Sequence, residues 1–304
     1  MKVSLIIPTY NGASKVLNIL KALEKQTFRN FEVIVVIDGS SDNTKETLEN
    51  FKTGLDLKIF YRQNGGRAVA RNTGAREAKG DLLIFFDDDM RPMPDCVEQH
   101  VTHHQKYINS ICVGSAMDDR NFVKTDFHAF RIYINNTWSK NLPVYPIPMN
   151  SHNLLLAAAN CSINKMSFLQ LGGFDERLTD AEDFELGTRA HEKGFSIYYN
   201  SQARAFHDDP VTCRSYIRRQ REYTKAHIKL HKIRPEIVGN YSNASIYKPS
   251  PLKKVVFCLF ANKFFVHTID HFNFYRFVMP QKVRYKLYDL VVWGMAKVFP
   301  DRQL

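Results

Sequence analysis

Gly80–Asp89 reads Gly-Asp-Leu-Leu-Ile-Phe-Phe-Asp-Asp-Asp, so five apolar residues run straight into three carboxylates. The apolar run has the length of a strand buried on both faces, the kind found in a parallel sheet. Adjacent unpaired carboxylates repel and are costly to take out of water. A divalent cation at the strand's C-terminal edge would resolve that conflict, and open α/β sheets bind ligands at that edge. A solvated acidic turn after a core strand accounts for the stretch equally well, so the remaining residues must decide.

The first 115 residues alternate strand and helix signals. Strands are expected at Val3–Ile7, Val33–Ile37, Leu57–Tyr61 and Ile111–Gly114, besides the acidic one. Helices are expected at Gly12–Gln26, Thr44–Phe51 (capped by Ser41 or Asp42), Arg67–Ala78 (ended by Gly80) and Pro94–Tyr107. This βαβα order predicts a parallel, Rossmann-like sheet with helices on both faces. Asp118–Ser151 has no clean period and reads as a helix near Val123–Asn135 and a loop. Beyond it come a strand at Ala157–Ile163, helices at Lys165–Leu171 and Asp180–Lys193, and short strands at Ile197–Tyr199 and Ala203–Phe206. Helical stretches follow at Arg214–His231, Leu252–Ile269 and Gln281–Phe299, with a linker at Tyr241–Pro251.

Charge divides the chain. Residues 1–200 hold 23 Lys and Arg against 24 Asp and Glu, and residues 201–304 hold 19 against 7. The surplus of +11 therefore lies in the last third, which points to a polyanion or membrane-surface partner for that part. Five scattered cysteines without a CxxC pair argue against a disulfide framework or zinc site and fit a reducing, cytoplasmic compartment. No stretch approaches the roughly 18 apolar residues of a membrane span.

Neither GxGxxG after the first strand nor GxxxxGK[ST] is present, which disfavours dinucleotide oxidoreductases and P-loop NTPases. Yet Pro8-Thr9-Tyr10, Asp38-Gly39-Ser40 and Asp87-Asp88-Asp89 all fall at strand ends on one sheet edge, a place for a nucleotide. Ser4–Gly12, Asp38–Thr44, Ala70–Gly74, Gly80–Asp89, Gly172-Gly173-Phe174-Asp175-Glu176 and Glu182-Asp183 together resemble the successive motifs of the family 2 glycosyltransferases. Six motifs in the family's order, across roughly residues 3–207, form a context that no single one supplies. The resemblance implies a GT-A fold, a nucleoside-diphosphate-sugar donor (uridine being the usual base), Mn²⁺ or Mg²⁺, and inversion at the anomeric carbon. It divides the chain into a catalytic part at 1–210, with a nucleotide-sugar half to about 115, and a basic amphipathic helical extension at 211–304.

The resemblance also implies roles. Asp89 would meet the metal and Asp87 the ribose or metal, with Asp88 between them on the donor edge and closer to a structural part. Pro8, Thr9, Tyr10 and Asp38 would line base and ribose, although Asp-Gly is also an ordinary turn. Arg67 and Arg71 lie one helical turn apart, and one of them would reach the diphosphate unless both are solvated. Asp183 would be the base that takes the acceptor's proton, with Glu182 beside it on the acceptor side; acids in a helix's first turn also simply complement its dipole. His207 is a candidate second metal ligand or a surface residue, Asn160 a candidate for sugar hydroxyls, and Trp138 a candidate for stacking on the acceptor or for the core.

In the last third, Arg214, Arg218, Arg221, Lys225 and Lys229 form a basic stripe, and Val283, Leu287, Leu290, Val291 and Val298 fit one helical face. Basic amphipathic helices with aromatics suit peripheral binding to an anionic leaflet, or a helical cap on the core. The expected partners are a nucleotide sugar and a glycan or lipid-linked acceptor at the inner face of the cell membrane, with no nucleic acid. A metal-dependent nucleotidyltransferase and a non-catalytic sugar- or polyanion-binding protein stay open as alternatives.

Overall fold

The computed structural model describes residues 1–209, 211–242, 249–272 and 275–304. In chain order the elements are β1 (Val3–Thr9), α1 (Val16–Leu23), β2 (Phe31–Asp38), α2 (Thr44–Glu49), β3 (Asp56–Arg62), α3 (Arg67–Glu77), β4 (Leu82–Phe86), β5 (Met90–Pro92), α4 (Cys96–Lys106), β6 (Ser110–Met117) and α5 (Asp126–Ser139). They continue with β7 (Asn160–Asn164), α6 (Lys165–Leu171), α7 (Glu182–Glu192), β8 (Ser196–His207), α8 (Cys213–Ile233) and α9 (Ile237–Asn240). The last are α10 (Pro251–Phe260), α11 (Lys263–Phe272), α12 (Tyr275–Val278) and α13 (Gln281–Trp293), which runs into a π-turn at Gly294–Val298.

Two compact units result. The first holds Met1–Asp118, Leu142–Asp208 and Asn240–Asn243, and the second holds Asp119–Asn141, Asp209–Gly239 and Ala244–Leu304.

The first unit is built on one eight-stranded sheet in the order β3-β2-β1-β4-β7-β6-β8-β5. All residues of β1, β2 and β4 are buried, which is why these runs show no alternation. Each fully buried Val, Leu, Ile or Phe contributes about 1.5–3 kcal/mol. The sheet is mixed rather than parallel throughout. β1–β2, β2–β3, β1–β4 and β6–β8 are parallel, whereas β7 runs antiparallel to β4 and β6, and β5 antiparallel to β8. The reversal of β7 pairs Asn160 with Phe86, so the chain before β7 arrives at the end of the strand that carries the three acids.

Other expectations shift at their edges. The two short strands expected at Ile197–Tyr199 and Ala203–Phe206 are one strand, β8, with a bulge opposite Gly114 and Ser115. Gly80 does not cap α3; it sits where a Cβ would come 2.7 Å from Ser4 N, so it allows β1 to approach. The α2 N-cap is Asn43, and Asp42 instead accepts from the Thr44 amide at 3.1 Å. The linker expected at Tyr241–Pro251 falls largely on 243–248, outside the described residues.

The second unit is helical, with a core of Phe127, Phe130, Ile217, Val266, Tyr288 and Val291 among others. Leu252–Ile269 is broken into α10 and α11, because Asn262 Oδ1 accepts from the amides of Phe264 (3.1 Å) and Phe265 (3.3 Å) and starts a new helix. The buried face of α13 is Arg284, Tyr285, Leu287, Tyr288, Val291 and Val292, so Val283 points outward instead. Arg284 reaches both Asp126 oxygens, at 2.6 and 2.9 Å. The basic stripe of α8 is partly internal: Arg214 donates to Leu304 O at 3.0 Å and Arg221 to Met295 O at 3.0 Å, while Arg218, Lys225 and Lys229 are exposed. Among the described residues, no helix is long and apolar enough to cross a membrane.

Candidate active site

The ends of β1, β2 and β4 open on one cleft of about 380 Å³ in the first unit. Pro8, Thr9, Tyr10, Asp38, Arg67, Asp87, Asp88 and Asp89 all line it, as the sequence suggested. Lys15, Asn64, Ala70 and Thr179 line it as well. Of these only Ala70 falls in one of the motifs; Lys15, Asn64 and Thr179 are brought there by the fold alone.

The three acids differ. Asp87 Oδ1 accepts from Arg71 Nη2 at 2.5 Å. Asp88 Oδ2 accepts the Thr9 hydroxyl at 2.6 Å, and burial, opposed by that bond, pushes its carboxyl up to about 6. Gly12 lies against this pair, where a Cβ would overlap both Thr9 Oγ1 and Asp88 Oδ2. Burial would also raise Asp89, but His207 and Lys15 outweigh it and hold that carboxyl down at about 2. Lys15 Nζ lies 3.5 Å from Asp89 Oδ2 and His207 Nε2 lies 3.3 Å from Oδ1.

His207 reaches this position through β5, the short strand that the sequence does not announce. Met90 pairs with His207, and the Asp208 amide donates to Asp89 O at 2.9 Å. Asp89 Oδ1 is buried yet accepts no well-formed hydrogen bond. A carboxylate oxygen left over next to an imidazole nitrogen fits a divalent cation. Among the described residues no third side chain completes a ligand cluster. That suits an ion of the Mg²⁺ type, which keeps waters and takes substrate phosphates as its other ligands.

Asp38 is already engaged. Its carboxylate accepts from Arg62, from the Gly65 amide at 3.0 Å and from the Gly66 amide at 2.7 Å. It thereby ties the end of β2 to the turn before α3, and it still faces the cleft.

Arg71 departs from expectation. It is neither solvated nor part of the cleft lining. Its side chain is buried and bridges Asp87 and Glu182, each at 2.5 Å, from well-separated parts of the sequence. Glu182 is correspondingly 2% exposed, not solvent-facing at the start of α7. Arg67 stays at the cleft, 3.8 Å from Asp180.

Asp183, the next residue, is partly buried. Its Oδ1 accepts the Phe184 amide at 2.7 Å and its Oδ2 the Ala158 amide at 3.4 Å. Burial and the neighbouring Glu182 charge, opposed by Arg71, push this carboxyl up to about 7. The backbone before it is strained, with Ala181 in the left-handed region at φ 63°.

Asn160 does not line the cleft. It is 1% exposed, and its amide nitrogen donates to Ala203 O at 2.8 Å and Ser115 O at 3.3 Å. Its Oδ1 must then accept from His100 Nε2, 2.9 Å away. That fixes the rest: Ser162 Oγ donates to His100 Nδ1 (2.8 Å) and accepts from His104 Nε2 (2.9 Å). Asn160 therefore ends a polar chain inside the sheet. Trp138 stands on α5 in the second unit, 42% exposed.

Residues 4–170, more than half of the chain, match the family model described as glycosyl transferase family 2. The chain belongs to this family. Among the relatives, an uncharacterized glycosyltransferase, YfnE of Bacillus subtilis, is 28% identical over 267 residues, covering 71% of this chain and 67% of the relative. Validoxylamine A glucosyltransferase of Streptomyces hygroscopicus subsp. jinggangensis is 31% identical over 223 residues, covering 64% of this chain. This chain spans about half of that relative's length, 52%, and 28% of a Rickettsia bellii glycosyltransferase.

The fold matches solved structures. The mannosyltransferase PcManGT of Pyrobaculum calidifontis, in complex with GDP-Man and Mn²⁺, superposes with a TM-score of 0.62 at 17% identity, over 99% of this chain and 88% of that one. S. aureus TarS with UDP gives 0.55 at 18% identity, over 97% and 90%. The first unit is thus the GT-A form of an α/β sheet with flanking helices, and a helical C-terminal region accompanies it.

Proposed function

We propose that this chain is an inverting, metal-dependent glycosyltransferase that moves a sugar from a nucleoside-diphosphate sugar, with uridine as the base, to an acceptor hydroxyl. The observation that carries the reading is the cleft itself: three strand ends converge on it, and Asp89 presents an unsatisfied carboxylate oxygen beside His207. Asp89 and His207 would hold Mn²⁺ or Mg²⁺, which when bound neutralises charge on the departing diphosphate. Pro8, Thr9, Tyr10 and Asp38 would seat the nucleoside, and Arg67 would face the diphosphate.

Asp183 is the base. It takes the acceptor's O–H proton as that oxygen bonds to the anomeric carbon, and the bond from carbon to diphosphate oxygen breaks with its electron pair on the leaving group. A carboxyl near 7 is matched to that task at neutral pH. Arg71 positions both ends of the site by holding Asp87 and Glu182.

The similarities to a glucosyltransferase and to structures holding UDP and GDP-Man support a hexose donor. The acceptor we propose is a lipid-linked or cell-envelope glycan, with residues 1–210 catalytic and 211–304 placing the protein at the cytoplasmic face of the membrane. A thermal-shift panel of nucleotide sugars, with and without Mn²⁺, tests the reading, since a donor that binds the folded state raises the Tm by mass action. A metal-dependent rise with a UDP-sugar is expected, and no shift with any donor overturns it.

A further inference from the structure

Helix α10 is fully formed yet buries almost nothing. Of Pro251–Phe260 only Phe257 is buried, with Phe260 half-buried. Leu252, Val255, Val256 and Leu259 are 77, 61, 37 and 66% exposed. At 3.6 residues per turn these four share a stripe about 100° wide on the side away from Phe257. Lys253 and Lys254 are exposed beyond the stripe, on either side of Phe257.

The helix is held from behind. Arg302 Nη1 donates to Cys258 O at 2.9 Å and to Ala261 O at 2.6 Å, which satisfies carbonyls at the helix end. Ser250 accepts the Lys253 amide at 3.4 Å at the other end, with Pro251 in the first turn. The apolar stripe therefore faces outward on an anchored helix. Single exposed apolar residues need no explanation, but a contiguous stripe does.

The same pairing recurs nearby in this unit. Phe264, Phe277 and Val283 are 65, 82 and 55% exposed, and each follows directly on an exposed cation: Lys263, Arg276 and Lys282. The whole unit carries 22 Lys and Arg against 8 Asp and Glu, while the first unit carries 20 against 23. Charge decides what covers the face. A second copy docking by this stripe would bring together two units that each carry 22 Lys and Arg against 8 Asp and Glu, and like charge opposes that approach. An anionic lipid leaflet offers acyl chains to the stripe and phosphates to the lysines, whose stems lie along apolar surface while their heads stay in water.

We propose that α10 inserts its Leu252–Leu259 stripe at the boundary between headgroups and acyl chains of an anionic membrane, with Lys253 and Lys254 close enough to the anionic surface to be attracted by it. This rests on the membrane placement proposed above and not on the catalytic reading. The test is co-sedimentation of the full chain with phosphatidylcholine vesicles, with and without phosphatidylglycerol. Two variants accompany the wild type: Leu252→Ser/Val255→Ser/Leu259→Ser and Lys253→Glu/Lys254→Glu. These side chains are exposed, so an unchanged Tm is the control for folding.

The wild type is expected to prefer the anionic vesicles. The serine variant should partition roughly tenfold or more weakly onto both vesicle types. The glutamate variant should lose about fivefold per lysine on anionic vesicles at low salt. A wild type that binds neither vesicle overturns both the proposal and the membrane placement. A wild type that binds while the serine variant binds equally well overturns α10 alone, and unchanged binding of the glutamate variant overturns the lysine contacts. A wild-type dimer that the serine variant dissociates, read by light scattering, assigns the face to a second copy and overturns the proposal as well.

Discussion

Glu182 and Asp183 are neighbours in sequence with different surroundings. A helix turns about 100° per residue, so adjacent side chains diverge; Glu182 goes inward to Arg71, and Asp183 goes to the Ala158 amide. Asp183→Asn is expected to lower kcat by roughly 10²–10⁴-fold, the usual worth of a positioned base, while the donor-induced Tm rise persists. Unchanged turnover would remove Asp183 from the mechanism. For the wild type, kcat/KM should climb with pH and level off above about 7, because the base works only when deprotonated. The asparagine variant should lack that limb. Arg71→Met leaves two carboxylates facing a buried site without their cation, and loss of one partner of a buried ion pair costs about 3–5 kcal/mol. Urea unfolding should report a loss of that size, together with weaker donor binding through Asp87.

Gly114 shows why an element can depend on a residue that no motif marks. A Cβ there would stand 2.3 Å from Asn160 Nδ2 and 2.4 Å from Ala203 O, inside the bulge between β6 and β8. Gly114→Ala should cost about 1–3 kcal/mol by overpacking, seen as a lower urea midpoint, and should disturb the β8 segment that ends in His207. Long buried strands such as β1, β2 and β4 were legible in the sequence because burial on both faces leaves an unbroken apolar run. The strand-end residues of the cleft were legible for the same reason, since the strand ends fix where they fall. β5 was not, because Met90-Arg91-Pro92 has neither length nor alternation and is a strand only by virtue of β8. The direction of β7 was not, because a strand's residues do not state which way it runs. The burial of Arg71 and Asn160 was not legible either: a polar side chain read alone says nothing about whether its partners are a ligand or other buried residues.

Acid should unfold the whole protein earlier than its carboxylates alone would suggest. Burial holds His100 at about 4 and His103 and His104 at about 3, against an ordinary 6.5. A neutral buried histidine contributes full stability above the unfolded value of 6.5, and that stability is lost as pH falls from there toward the folded values, because the unfolded chain takes up the proton first. The Tm should therefore drop between pH 7 and pH 5, corresponding to a loss on the order of a few kcal/mol. His104→Gln should flatten that slope, and a Tm independent of pH over this range would contradict the assignment. At the same scale, the two units differ in charge by design of sequence, with a near-neutral sheet unit and a basic helical one.

The shared use of Arg71 has a consequence for modularity. Asp87 follows β4 and Glu182 opens α7, and one buried guanidinium serves both. A chimera that joins another protein's later segment to residues 1–115 inherits a cation whose second partner came from elsewhere. Interchange of such segments is therefore restricted to donors of sequence that keep an acid at position 182, whatever their loops look like.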